Sequence, residues 1–267
     1  MKPHQWFSVD GKTFCATCGF PEASAPKECR EPEKPQPKPL EAPIEELREL
    51  QAPTKSDEEM AVYLWENETV PRLKAANFDS RFWVRHQENI IPGMEKDFEE
   101  WKKVLNFCQD RCQGKGAIIV LAGVRGTGKT TICSQMAIAR AESTELPPWD
   151  RQPPYRKLQA LFERYKPLYA DFGSTKTDEL SSSLDWYCRT PSLAFIDEIH
   201  ECSEARVAER MLTDILDRRY SARRDTILIT NQSPEEFRDT ANGSIKSRIS
   251  EHGAIIPCFW ASWRNAK

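Results

Sequence analysis

Residues 117–131 read Ala117-Ile118-Ile119-Val120-Leu121-Ala122-Gly123-Val124-Arg125-Gly126-Thr127-Gly128-Lys129-Thr130-Thr131. The run at 117–122 is apolar throughout and predicts a buried strand. The loop that follows fits G-x-x-x-x-G-K-[ST], and residues 132–141 predict a helix. A strand, a glycine-rich turn and a helix in this order are the context a phosphate-binding P-loop requires. Glycines let the backbone curl so that several N–H groups point inward, at the positive end of a helix. Gly123, Gly126, Thr127, Gly128 and Thr131 are the expected cradle. Lys129 is expected to reach the outer phosphates of a nucleoside triphosphate, and Thr130 to place a hydroxyl on Mg²⁺.

A second strand, predicted at 193–196, ends in Asp197-Glu198. Acidic residues at a strand end also cap helices, but with a P-loop upstream they take the form of a Walker B element. Asp197 is then a Mg²⁺ residue, and Glu198 the base that polarises an attacking water. The letters Asp197-Glu198-Ile199-His200 also imitate a DExH helicase box, although the chain is short for two helicase cores. A third strand at 226–230 delivers Asn231, a polar group able to orient water. A short strand is expected at 254–257, a strand turning into a helix at 156–164, and a helix at 178–188 with Leu180, Leu184, Trp186 and Tyr187 inward. A helix at 203–221 buries Val207, Met211, Leu212, Ile215, Leu216 and Tyr220. Arg218, Arg219, Arg223 and Arg224 cluster at its end. They read either as a solvated face suited to the negative helix terminus or as a contact to a nucleic-acid backbone.

The N-terminal part differs in character. In residues 1–30, His4, Cys15, Cys18 and Cys29 form a set able to close a tetrahedral zinc site, and so few residues need such a staple to fold. Residues 31–54 alternate Pro with Lys and Glu, a semi-rigid polyproline II spacer. Residues 55–112 read as helical. Ser56 and Glu59 form a capping-box pattern that opens a helix over about 57–70, which Pro71 is expected to stop. A second helix is expected over about 93–112, with Phe98, Trp101, Val104, Leu105 and Cys108 on one face. Residues 113–267 form the remaining domain.

The totals exclude several classes. The chain has 267 residues, 30% charged, with a net charge of −3, so bulk positive charge does not drive nucleic-acid binding. No apolar run approaches the roughly 20 residues of a membrane span. Residues 1–6 lack a signal-peptide core, so a cytoplasmic setting is expected. Nine cysteines in such a setting argue against disulfides. Cys108, Cys112, Cys133, Cys188, Cys202 and Cys258 are expected to fill the core.

Residues 123–131, Ile196-Asp197-Glu198, the helix at 212–220, Ile229-Thr230-Asn231-Gln232-Ser233-Pro234-Glu235-Glu236-Phe237 and Ser247-Arg248-Ile249 together resemble the AAA+ ATPases. They are most similar to the DnaC/DnaI/IstB-like group of bacterial or phage helicase loaders and transposition helpers. The resemblance spans residues 114–260. It implies an α/β fold with a parallel sheet flanked by helices and no C-terminal helical lid. It also implies an ATPase using ATP and Mg²⁺, with Asn231 as sensor and Arg248 as a finger reaching a neighbouring subunit's site. The implied partners are a replicative hexameric helicase, single-stranded DNA and further copies of the chain. The alternative is an IstB-like helper acting on duplex DNA with a transposase. A nucleotide-gated adaptor with negligible hydrolysis remains a further reading.

Overall fold

Short apolar runs separated by helical segments favour a parallel sheet covered on both faces, and the computed structural model of the chain contains one. It describes residues 56–83, 97–169 and 177–262, and the backbone of residues 6–9 and 12–15. The chain divides into two units, residues 1–54 and 55–267.

In the first unit, β1 (Trp6–Val9) and β2 (Lys12–Cys15) pair antiparallel, with Trp6 opposite Cys15. The residues between them in sequence are Asp10-Gly11, a pair suited to two-residue hairpin loops. Of the four expected zinc ligands, Cys15 ends β2. His4, Cys18 and Cys29 lie outside the described residues, as does the Pro-rich stretch 31–54.

The second unit is built on β3 (Ile118–Ala122), β4 (Tyr155–Lys157), β5 (Leu193–Asp197), β6 (Asp225–Thr230) and β7 (Ala254–Pro257). The sheet order is β4-β5-β6-β3-β7, with every pairing parallel. Alternation along β3 divides the core. Ile119 and Leu121 face one layer, and Ile118, Val120 and Ala122 the other. The first layer is covered by α2 (Val70–Ala76), α3 (Phe98–Arg111) and α4 (Lys129–Glu142) through Leu73, Trp101, Leu105, Ile132 and Met136. The second is covered by α5 (Leu158–Tyr169), α6 (Thr177–Arg189), α7 (Ala205–Ser221) and α9 (Gly243–His252). Between β6 and α9 lies α8 (Pro234–Thr240). Its N-terminus is a reciprocal capping box: Glu236 N–H donates to Ser233 Oγ, and Ser233 N–H to Glu236 Oε2. The Ser-Pro-Glu-Glu phrase is thus a helix start, with Pro234 in the first turn where it costs nothing.

The expected capping box at Ser56 is present, and opens α1 (Asp57–Leu64). Pro71 does not end this segment. A π-helical turn, Trp65–Thr69, leads directly into α2, with Pro71 in its first turn. Proline clashes with the carbonyl four residues earlier, here Asn67, and the wider turn spans that position. The second helix is described from Phe98 rather than Gly93; residues 84–96 lie outside the described residues. On α6, Leu184 and Tyr187 are buried as expected, but Trp186 is half exposed, because its position rotates off the apolar stripe. Five of the six cysteines read as core filler are buried; Cys202 is partly exposed, and all six are free thiols.

The four arginines do not share one environment. Arg219 is fully buried. Its guanidinium donates to Thr226 Oγ1 and to the carbonyls of Tyr187, Pro191 and Asp225, and burial holds its pKa below the ordinary value. Arg224 Nε donates to the Arg189 carbonyl, and Arg218 pairs with Asp214. Two of the four are therefore tied to backbone carbonyls of the chain itself; burial removes Arg219 from any contact surface, while Arg223 is exposed and Arg218 and Arg224 are partly exposed.

Beside Arg219, the buried Asp225 carboxylate accepts N–H groups from Gly114, Lys115, Gly116 and Ala117. One acid at the start of β6 thereby fixes the entry to β3. Arg219→Ala is expected to cost about 3 kcal/mol or more, since it strands several buried acceptors and opens a cavity. Arg223→Ala, at an exposed neighbour, is expected to cost under about 0.5 kcal/mol. Equilibrium urea unfolding of both variants checks the difference.

Candidate nucleotide site

Parallel strands place their C-terminal ends on one edge, where open α/β sheets form clefts. Here that edge carries the P-loop after β3, Asp197-Glu198 after β5 and Asn231 after β6. Because β6 runs between β3 and β5, Asn231 lies between the P-loop and the acidic pair. These ends open onto a cavity of about 460 Å³ lined by Arg125, Gly126, Gly128, Lys129, Thr130, Thr131, Asp197, Glu198 and Asn231, together with Arg81, Phe82 and Ile229.

The loop is shaped from within. Gly123, Gly126 and Gly128 all have positive φ, a region glycine enters without cost. At Gly123 the need is also steric: a Cβ would sit 2.5 Å from the Cys258 carbonyl oxygen. Thr127 is fully buried and donates its hydroxyl to the Val124 carbonyl. Gly123 and Thr127, both expected in the cradle, thus form the loop without lining the cavity. Lys129 is 5% exposed, and its ammonium donates to the carbonyls of Gly123 (2.6 Å) and Val124 (2.7 Å).

Asp197 is the convergence point of the acidic side. Its Oδ2 accepts the Thr130 hydroxyl at 3.2 Å and the Tyr155 hydroxyl at 2.5 Å, and its Oδ1 accepts the Glu198 N–H at 2.7 Å. Burial, and then the adjacent Asp197 charge, push the Tyr155 hydroxyl pKa well up, so Tyr155 remains a donor. Tyr155 is itself stacked on Phe78, ring centroids 4.7 Å apart. Thr130 Oγ1 and Asp197 Oδ2 are hard oxygen donors side by side, a pair suited to Mg²⁺.

Glu198 sits at φ +54°. A non-glycine residue there carries strain, and the turn carries its side chain out of strand direction to the cavity wall. Its Oε1 accepts from Lys157 Nζ at 2.8 Å. Asn231 Nδ2 donates to Glu201 Oε1 at 2.9 Å, and Arg125, from the P-loop, pairs with the same oxygen. The Arg125 hydrogen bond is the main cause of a lowered Glu201 pKa. Tyr155, Lys157, Glu201, Arg81 and Phe82 escape sequence reasoning. Each belongs to this site through contacts distant in sequence, and none carries a local motif.

Arg248 does not line this cavity. On α9, its Nε lies 3.0 Å from Asp217 Oδ1, an ion pair too poorly aligned to count as a hydrogen bond. Its Nη1 donates to the Ser244 carbonyl, and its guanidinium lies over the Tyr220 ring.

Residues 115–252, just over half of the chain, match the AAA domain family. The chain belongs to this family. Within this AAA domain the P-loop, the Asp197-Glu198 strand end and Asn231 all fall inside the matched range, whereas Arg81, Phe82, Trp101 and Trp260 fall outside it. No curated protein matches the sequence. Among solved structures, the AAA domain protein is similar to the DnaC helicase loader, with 18% identity, 67% of this chain, 99% of that chain and TM-score 0.47. It is similar to DnaI with 15% identity, 70% of this chain, 95% of that chain and TM-score 0.46. The AMPPCP-bound DnaA from Aquifex aeolicus is 16% identical, with 64% of this chain, 49% of that chain and TM-score 0.45. The chain spans about half the length of the AMPPCP-bound DnaA structures it matches. Likeness at this level carries no functional conclusion.

Lys157→Ala removes the partner that holds Glu198, and is expected to raise basal nucleotide turnover about two- to fivefold. Stability should hardly change, since an exposed ion pair contributes little. Steady-state phosphate release together with thermal melting checks both halves. A fall in turnover would show that Lys157 supports Glu198 rather than restraining it.

Proposed function

We propose that this AAA domain protein binds and hydrolyses ATP. The observation that carries the reading is the convergence of Lys129, Thr130, Asp197, Glu198 and Asn231 on one cavity from three separate strand ends. The backbone N–H groups and Lys129 hold the phosphates. Thr130 and Asp197 hold Mg²⁺, which when bound neutralises charge on the phosphate oxygens. Tyr155, buried beside the cavity, holds the Asp197 carboxylate through the oxygen that also accepts the Thr130 hydroxyl. Glu198 takes a proton from the attacking water at a carboxylate oxygen, once that oxygen is free of Lys157. Asn231 orients the same water when it leaves Glu201.

Arg248 is assigned the role of a finger acting on a neighbouring copy, so that hydrolysis depends on self-association. That it does not line the chain's own cavity supports that reading, and its pairing with Asp217 supplies a simple structural alternative. The biological role proposed is that of a helicase loader that engages a replicative hexameric helicase and single-stranded DNA. Support for it lies in the phrase Ile229-Thr230-Asn231-Gln232-Ser233-Pro234-Glu235-Glu236-Phe237 and in Ser247-Arg248-Ile249. A zinc site at His4, Cys15, Cys18 and Cys29 is retained as a proposal resting on its residue types. Zinc stoichiometry near one per purified chain is expected, and a value near zero would end it.

Glu198→Gln is expected to bind ATP with near wild-type affinity and lose turnover by a hundredfold or more, roughly the contribution of a positioned base. Captured from cells, that variant is expected to bring down a hexameric helicase, and recovery of a transposase instead would favour the helper reading. Arg248→Ala and Asp217→Ala separate finger from ion pair. A finger predicts that only Arg248→Ala stops protein-concentration-dependent hydrolysis; equal losses in both would leave Arg248 as a structural residue.

A further inference from the structure

Two tryptophans outside the matched AAA domain grip the phosphate-binding loop by its carbonyls. Trp260 follows β7 and donates its indole N–H to the Thr127 carbonyl at 2.7 Å. Trp101, fully buried on α3, donates to the Gly128 carbonyl at 3.3 Å. The Gly128 oxygen also accepts the Ile132 N–H of α4 at 3.0 Å, so both of its lone pairs are used. Trp260 is brought to the loop by the residue before last: Cys258 N–H donates to the Ala122 carbonyl at 2.7 Å, and the Cys258 backbone packs on Gly123.

The consequence follows from peptide geometry. The carbonyl of Thr127 and the N–H of Gly128 belong to one planar trans unit and point in opposite directions. The carbonyl of Gly128 and the N–H of Lys129 do likewise. An indole is a donor only, so each tryptophan can hold a carbonyl outward and cannot bind the N–H. Fixing the two carbonyls on the protein side therefore directs two successive N–H groups toward the cavity, where Gly128 and Lys129 line its wall. Such dipoles stabilise an anion most when no reorganisation is needed on binding.

We propose that Trp101 and Trp260 are positioning residues that hold the Gly128 and Lys129 N–H groups in phosphate-binding orientation. The proposal rests on the nucleotide-binding reading of the P-loop. It makes the loop's affinity depend on the C-terminal segment after β7 and on helix α3, neither of which carries a nucleotide motif.

The test replaces each indole by a ring without the donor. Trp260→Phe, Trp101→Phe and the double variant are compared with wild type, with Lys129→Ala and with Trp186→Phe, a half-exposed tryptophan elsewhere. Affinity is read with methylanthraniloyl-ATP under direct excitation of the probe, and folding by thermal melting of the protein without nucleotide. Loss of one hydrogen bond is expected to weaken binding about fivefold per tryptophan and about twenty-five-fold in the double variant. Trp260→Phe, at a partly exposed site, should keep the wild-type melting temperature, and Trp186→Phe should change neither quantity. A melting temperature lowered by Trp101→Phe with affinity of the folded protein unchanged, or wild-type affinity in folded Trp260→Phe, would overturn the proposal. If Lys129→Ala retains wild-type affinity, the P-loop reading fails and the proposal falls with it. If Lys129→Ala loses binding while the tryptophan variants do not, the positioning role alone is refuted.

Discussion

Asp225 and Arg219 occupy adjacent positions at the N-terminal edge of the sheet, and the geometry of the opposite edge depends on them. The Asp225 carboxylate gathers four consecutive N–H groups from residues 114–117, and Arg219 gathers carbonyls from the ends of α6, the following loop and β6. Burying either charge without these partners would be prohibitively costly, so the strands can begin only where this network is satisfied. From that start, parallel pairing of Ile118 with Thr226 runs to Ala122 beside Thr230. The P-loop and Asn231 therefore emerge at the same height. A slip of one residue would reverse the faces of β3 and separate them.

At the functional edge, several polar groups have protein partners. Lys129 is held by loop carbonyls, Glu198 by Lys157 and Asn231 by Glu201. Such pairs keep a buried polar site satisfied, and they mean that nucleotide and water must compete with neighbours of known identity. The exposed Lys157–Glu198 pair is the weaker restraint, because solvent screens it. The Tyr155–Asp197 contact is enclosed, both side chains being buried.

Much of this was legible in residue order. The apolar runs of β3, β5 and β6, the P-loop, the acidic pair and the Ser56 box all rest on local rules: period, turn chemistry and capping. Local rules failed where two elements meet. Pro71 reads as a stop, yet a π turn accommodates it. Arg219 reads as one of four exposed cations, yet the helix phase that buries Ile215 and Leu216 turns it to the sheet edge. No charge pattern distinguishes it from Arg218 or Arg223, because only the position of β6 makes burial affordable.

By itself, the amino-acid sequence determined the class of fold, the P-loop and its acidic counterpart, since these depend on contacts within a few residues and on strand and helix periodicity. The tertiary structure decided which side chains complete the site. Tyr155 meets Asp197 because β4 lies beside β5, Lys157 meets Glu198 at the end of the same strand pair, and Trp101 and Trp260, one before and one after the AAA domain in sequence, both reach the loop. The physical reason is that hydrogen bonds join groups close in space, and in a parallel sheet the groups brought together at one edge are those from strands far apart along the chain.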